Sequence, residues 1–413
     1  MRSEFLPSDL SELAARFDIE GRVVSVDALG NGLINDTYLV TTTSAQYVLQ
    51  RINNAVFKDV ALLQGNIAAV TAHIRRKLEA ASVRDLDRRV LRLIPVKGAA
   101  GAASPAGVSA SPADASASPA GGATYLEEDG KFWRMTLYIS GSHTCEEVNA
   151  ETSYCAGKAF GEFEAMLSDI PAEIGETIPD FHNMELRARQ LDEAVAADRV
   201  GRLAANGTDG LGMALDGAGL ALNGSSVALD GAGLAARPGE LQEILEFFGR
   251  YRSWMCQAEQ MHREGVLPKR ICHCDTKVNN LLFDEEGKPL CVIDLDTVMP
   301  SFVFSDFGDF MRTGASTVAE DWPAISDIEF RKDVYDAFLK GYLESASCFL
   351  TPIEKDNLPF AVLLFPYMQA VRFFTDYLNG DTYYKISYPE HNLVRTRNQI
   401  TLFRKAGEAL SLL

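Results

Sequence analysis

The sequence has 413 residues, 47% hydrophobic and 23% charged, which suits two or three average domains or one two-lobed enzyme with a large core. Its 39 basic and 57 acidic residues give a formal charge of −18. That excess disfavours nucleic acid or an anionic membrane surface as a partner, since both require clustered Lys and Arg. ATP stays open, because local basic groups and a metal ion screen phosphates.

Met1 to Pro7 show no basic region followed by an apolar run, so no secretory signal is expected. No stretch of about 18 apolar residues is read, so no membrane helix is expected either. Seven scattered cysteines, an odd number, read as reduced thiols and point to a cytoplasmic setting. Cys272-His273-Cys274 lacks a second cluster that would complete a four-ligand zinc site.

Strands are predicted at Val23–Val26, Thr37–Val40, Tyr47–Leu49, Val90–Val96 and Phe132–Ile139, where β-branched and aromatic runs end at turn residues. Leu62, Leu63, Ile67, Val70, Ile74 and Leu78 predict a helix over 59–80. Residues 1–140 therefore read as a small, mostly antiparallel lobe, and 141–413 as a larger helical one. Residues 98–123 and 203–239 are low-complexity inserts. In the second, Ala214–Ala221 recurs as Ala228–Ala235, too few copies for a solenoid. Helices are predicted over 148–168, 183–201, 240–264, 329–346, 353–379 and 390–411. A hairpin, Asn280–Phe283 with Leu290–Ile293, turns at Asp284–Gly287. The fold class is α+β, with a small sheet lobe followed by a larger helical lobe.

The chemistry concentrates in His273-Cys274-Asp275-Thr276-Lys277-Val278-Asn279-Asn280 and Val292-Ile293-Asp294-Leu295-Asp296. Phosphoryl transfer from ATP requires a carboxylate for the attacking hydroxyl, a metal against the phosphates, and oxygen ligands for that metal. Asp275 and Asn280 have the spacing of H-x-D-x-x-x-x-N, and Asp294 ends the following hairpin. Asp275 is the candidate base, Asn280 and Asp294 the candidate Mg²⁺ ligands, and Lys277 a cation for the γ-phosphate. His273 is a brace of the loop or a proton shuttle. Asp296 is a second ligand or a supporting group. Asp306-Phe307-Gly308 has the letters of a kinase D-F-G but lies beyond the hairpin, where Asp306 and Asp309 cap a helix or brace the loop.

Between the first two strands, Gly30, Gly32, Asn35 and Thr37 lie in a glycine turn. It is a plain hairpin turn or a cover for phosphates. Leu137 and Ile139, at the strand exit, offer backbone groups to an adenine. A phosphate-binding Lys is missing: Gln50 stands in its place, Arg51 faces away, and the helix has Gln64 and Asn66 where a partner Glu belongs. The phosphates are then held by Lys277, Mg²⁺ and the glycine turn, or the enzyme is dead.

Four segments carry a resemblance: Gln50–Asn53, Ile178–Asn183, His273–Pro300 and Phe373–Asp381. With them the chain resembles the aminoglycoside-phosphotransferase-type kinases, and within these the N-acetylhexosamine 1-kinases, over nearly everything except the inserts. The resemblance implies ATP- and Mg²⁺-dependent phosphorylation of the anomeric hydroxyl of a small-molecule sugar acceptor. It also implies sugar contacts at Arg372 and Tyr383, for which the plain alternatives are a helix salt bridge and surface packing. A kinase for an aminoglycoside, choline or homoserine, and a pseudokinase that binds nucleotide without turnover, are the competing readings.

Overall fold

A computed structural model describes residues 7–30, 34–98, 122–145, 147–207 and 235–413. Gly32 and most of both inserts lie outside the described residues. The chain divides into two compact units. The first takes Met1–Glu146, Ala159–Pro179 and Asn279–Pro300, and the second Glu147–Lys158, Asp180–Val278 and Ser301–Leu413.

The first unit is built on a five-stranded sheet of β1 (Val23–Ala28), β2 (Asp36–Thr42), β3 (Gln46–Ile52), β4 (Tyr125–Glu128) and β5 (Lys131–Leu137). The order is β1-β2-β3-β5-β4, and every pairing is antiparallel. Alternation decides its faces. Tyr38, Val40, Tyr47, Leu49, Trp133 and Met135 are buried on one side against Leu10, Leu13 and Phe17. Each such side chain contributes about 1.5–3 kcal/mol by leaving water. The other face carries Thr37, Gln50 and Arg134, which are register partners across three strands.

Val90–Val96 is not a strand. Leu93 and Val96 make only isolated bridges, to Thr136 and Phe17. Pro95 between them has no N–H to continue a ladder. The unexpected strand is β4, closed onto β5 by Asp129 and Gly130, whose φ values of 50° and 70° suit a two-residue hairpin loop.

A single cut at residue 140 does not describe the division into units. β6 (Ser142–Thr144) pairs with Leu281–Asp284, which pairs with Pro289–Val292. This second sheet brings the predicted hairpin into the first unit. The helix Val60–Ala80 is capped by Asp59, whose side chain accepts from Leu62 N–H at 2.8 Å.

The second unit is helical. The predicted 240–264 helix breaks into Glu240–Met255 and Gln257–Arg263, and 353–379 into Pro352–Asp356 and Leu358–Leu378. Leu358–Leu378 is long and apolar enough to cross a membrane by length and composition, contrary to the sequence reading. Most of it is buried within the unit, packed along His391–Ala409, so it is a core helix. Phe304–Gly314, not predicted, is also helical, because Phe304, Phe307, Phe310 and Met311 recur at helical spacing and are all buried.

Candidate active site

In the second unit, the strand Arg270–Cys272 leads into the predicted catalytic loop. Asp306, at the start of helix Phe304–Gly314, braces that loop. Its carboxylate accepts from His273 N–H at 2.7 Å and Cys274 N–H at 2.6 Å, and its carbonyl accepts from the Thr276 hydroxyl at 2.6 Å. Cys274 is held at a φ of 63°, unusual for a residue with a Cβ. Asp275 N–H donates to His273 Nδ1 at 3.3 Å, so His273 supports its own loop. Gly308 serves packing, since a Cβ there would lie 2.6 Å from the Ala361 carbonyl oxygen.

The Asp275 side chain is 27% exposed and pairs with Lys277 Nζ at 2.8 Å. Burial works against the Lys277 ammonium, but Asp275 and Asp309 outweigh it and hold its pKa above the ordinary lysine value. Asp309 is itself pushed up by burial, against the pull of Arg312, whose Nη2 lies at 3.0 Å. Arg312 also pairs with Glu320. The result is a row of alternating acidic and basic side chains that runs from Asp275 through Lys277, Asp309 and Arg312 to Glu320.

In the first unit, Ile293 N–H donates to Asn280 carbonyl oxygen at 2.9 Å, which closes the hairpin base. Asn280 and Asp294 are thereby neighbours at that end. Asp294 adopts φ 57° and ψ 59°, a left-handed conformation that concentrates at functional sites. An amide and a carboxylate of this kind are the hard oxygen donors that suit Mg²⁺.

Asp296 faces a different set of partners. Its carboxylate accepts from Arg134 Nη1 and, at 2.6 Å, from Asn35 Nδ2. Its carbonyl accepts from the Thr177 hydroxyl at 2.9 Å. Asn35, a predicted nucleotide residue, is thus buried, and its Oδ1 accepts from Asn53 N–H at 2.9 Å. Gly30 is exposed, with a φ of 69°. Thr37 accepts from Gln50 Nε2 at 3.2 Å, while Arg51 pairs with Asp36. Leu137 N–H donates to Arg92 carbonyl oxygen at 2.9 Å, and Ile139 carbonyl oxygen accepts from the Ser142 hydroxyl at 2.6 Å. Ile139, Leu290 and Cys291 form an apolar cluster flanked by Leu91, Leu282 and Ile293.

Arg372 and Tyr383 meet in the second unit. The Arg372 guanidinium lies 5.4, 6.0 and 5.7 Å from the ring centres of Phe181, Tyr383 and Tyr384. The expected alternative for Arg372, a helix salt bridge, is absent among the described residues; it donates to Gln369 Oε1 at 3.0 Å. Tyr383 is 68% exposed. Its backbone is set by Asp376, which accepts from Thr382, Tyr383 and Tyr384 N–H at 2.9, 2.8 and 3.0 Å. Two segments singled out in the sequence, around Phe181 and around Asp376, thus converge.

Sequence reasoning missed His182 and Arg187 in this cluster. His182 stacks on Phe181 at 4.3 Å, and its buried Nδ1 has no partner among the described residues. Burial, then Arg372, Arg187 and Arg312, depress the imidazole well below its ordinary pKa, so it is neutral. Arg187 donates to the Phe181 carbonyl oxygen at 2.7 Å. Burial and Arg372 lower its pKa to about 10. The signal was the helix after the Asn183 cap, which places Arg187 on its first turns.

Glu259 supports this helix by accepting from Met184 N–H at 2.6 Å. Burial raises its carboxyl from 4.5 to about 7. The folded state therefore holds an extra proton between these values, and stability falls as pH rises from about 4.5 to 7. Glu259→Gln is expected to flatten that slope in urea unfolding midpoints measured across the same window. An unchanged slope would assign it elsewhere.

A model of the phosphotransferase enzyme family matches residues 25–347. The chain belongs to the phosphotransferase enzyme family. An aminoglycoside phosphotransferase of Alicyclobacillus acidocaldarius is similar at 11% identity, over 100% of this chain and 98% of that one, with a TM-score of 0.55. A spectinomycin phosphotransferase, solved with ADP and spectinomycin, matches at 11% identity over 98% and 100% of the two chains, TM-score 0.51. A microcompartment-associated aminopropanol kinase matches at 14% identity over 98% of each, TM-score 0.50. These likenesses show the expected protein-kinase-like fold, an antiparallel sheet region followed by a helical one. As a member of the family, the protein is a small-molecule kinase-like phosphotransferase.

Proposed function

We propose that this phosphotransferase moves the γ-phosphoryl group of ATP to the anomeric hydroxyl of an N-acetylhexosamine, giving the sugar 1-phosphate and ADP. Asp275 takes the hydroxyl proton as the new O–P bond forms and the bond to the ADP oxygen breaks. Lys277 orients Asp275 and presents a cation to the transferring group. Asn280 and Asp294 would hold Mg²⁺, which neutralises phosphate charge when bound. Gly30 and Thr37 would lie against the phosphates, and Leu137 and Ile139 against the adenine.

The acceptor reading is carried by one observation, the arginine–aromatic cluster of Arg372, Arg187, Phe181, Tyr383 and Tyr384. Aromatic rings suit the apolar face of a sugar, and guanidinium donors suit its hydroxyl and acetamido oxygens. Neither arginine has a carboxylate in ion-pair distance among the described residues. An ammonium group about 5 Å from one of them would be repelled by on the order of 3 kcal/mol at an effective dielectric near 20. That favours a neutral sugar over the aminoglycoside, choline and homoserine alternatives, although the three neighbours are named for an aminoglycoside, spectinomycin and aminopropanol.

The deciding measurement is ADP release with Mg·ATP and a panel of N-acetylglucosamine, N-acetylgalactosamine, unmodified hexoses, choline, homoserine and aminoglycosides. An N-acetylhexosamine is expected to give the highest kcat/KM. A faster aminated acceptor would overturn the reading. Mg·ADP binding without turnover of any acceptor would favour the pseudokinase.

A further inference from the structure

We infer that Arg134 is the cation that binds the nucleotide phosphates, the task a third-strand lysine performs in ordinary kinases, and that Asp296 is the carboxylate that positions it. The inference rests on the ATP-binding part of the reading above. Gln50 occupies the lysine position on β3, and Arg134 on β5 is its direct register partner. Residues so paired lie roughly 5 Å apart and point to the same face. The cation has therefore moved one strand along the sheet, and its side chain still belongs to the same row as Thr37 and Gln50.

The guanidinium is held on two of its three nitrogens. Nε donates to Gln50 Oε1 at 2.9 Å, and Nη1 donates to Asp296. Nη2 has no protein partner among the described residues and, in a side chain only 4% exposed, is the nitrogen that keeps an open edge. An open donor edge on an otherwise buried and fixed guanidinium points to a ligand acceptor. Asp296 and Asp294 share one short turn, so the carboxylate that holds Arg134 sits two residues from a candidate metal ligand. Asn35 and Thr177 fix that turn from either side.

Arginine is required by this arrangement. Its planar fork can bond Gln50, Asp296 and a phosphate oxygen at once, whereas lysine presents a single compact charge. Asp296 neutralises Arg134 when no phosphate is near and leaves the outer edge free when one is. The same pair explains why Gln64 and Asn66 replace the usual glutamate: Asn66 bonds the backbone of Gly175 and Val298 instead.

The test uses the full-length protein and titration calorimetry with Mg·ADP and with adenosine. Arg134→Gln is expected to weaken Mg·ADP by about tenfold or more, roughly one lost charge-assisted bond, and to leave adenosine within about twofold. Placing Gln50→Lys in the Arg134→Gln background is expected to restore part of the Mg·ADP affinity, since it returns the cation to β3. Unchanged Mg·ADP affinity in Arg134→Gln overturns the proposal, and so does an equal loss for adenosine, which would mark a purely structural pair. If Arg134→Gln does not fold, Arg134→Lys decides: it is expected to bind Mg·ADP several-fold more weakly with unchanged adenosine affinity, and wild-type affinity for both overturns the assignment. Failure of every acceptor in the turnover panel would sink the sugar-kinase reading and leave this one standing. A wild-type protein that binds no Mg·ADP would sink both.

Discussion

Asp275→Asn is expected to lower kcat by about 10²- to 10⁴-fold, the usual contribution of a positioned general base, with Mg·ADP affinity within about twofold of wild type. The substitution keeps the size of the side chain and removes its ability to take a proton. Lys277 loses its ion-pair partner at 2.8 Å, so its ammonium is left to Asp309 and burial. Steady-state kinetics separates the two effects. A lost base lowers kcat at saturating acceptor, whereas a misplaced Lys277 raises KM for ATP. Turnover within about tenfold of wild type would remove Asp275 from the base role.

Asp306→Ala is expected to cost both stability and activity. It leaves the N–H groups of His273 and Cys274 without the carboxylate that now accepts at 2.7 and 2.6 Å. Each buried donor left unsatisfied costs about 1–3 kcal/mol, which gives about 2–6 kcal/mol together. The left-handed backbone at Cys274 also loses the bond that holds it. Once it relaxes, Asp275 one residue later shifts, and a displacement on the order of 1 Å is enough for about 100-fold in rate. A lower urea midpoint with unchanged m-value, together with a fall in kcat for the folded protein, is the expected result. Unchanged kcat would mean that the loop holds its shape without the clamp.

The two substitutions test different kinds of legibility. Asp275 stood out as a candidate because general-base chemistry and metal ligation depend on residue type at fixed linear spacing. The hairpin from Leu281 to Val292 was readable for a similar reason, since a turn of Asp284–Gly287 between two apolar runs is a local signal. Asp306 was readable only as one of two alternatives, because its helix looked like a loop motif until Phe304, Phe307 and Phe310 proved to be core residues. The strand expected at Val90–Val96 failed because propensity counts Pro95 as one residue in seven, while a ladder loses its N–H altogether.

The arginine–aromatic cluster shows the same limit from the other side. Phe181 and Arg372 were each in segments worth noting, but 190 residues separate them in the chain. Their meeting depends on Asp376 gathering three backbone N–H groups and on the Asn183 cap aiming the Arg187 helix. No local pattern encodes that convergence.

The sequence by itself determined the α+β class, the hairpin and the spacing of Asp275, Asn280 and Asp294. These follow from periodicity, turn chemistry and short-range geometry, all of which act within a few residues. Only the tertiary structure decided that Arg134 faces Gln50 and grips Asp296, and that Arg187 stands beside Arg372. Strand register and long-range packing make those choices, since a shift of one residue in β5 would turn Arg134 to the opposite face of the sheet.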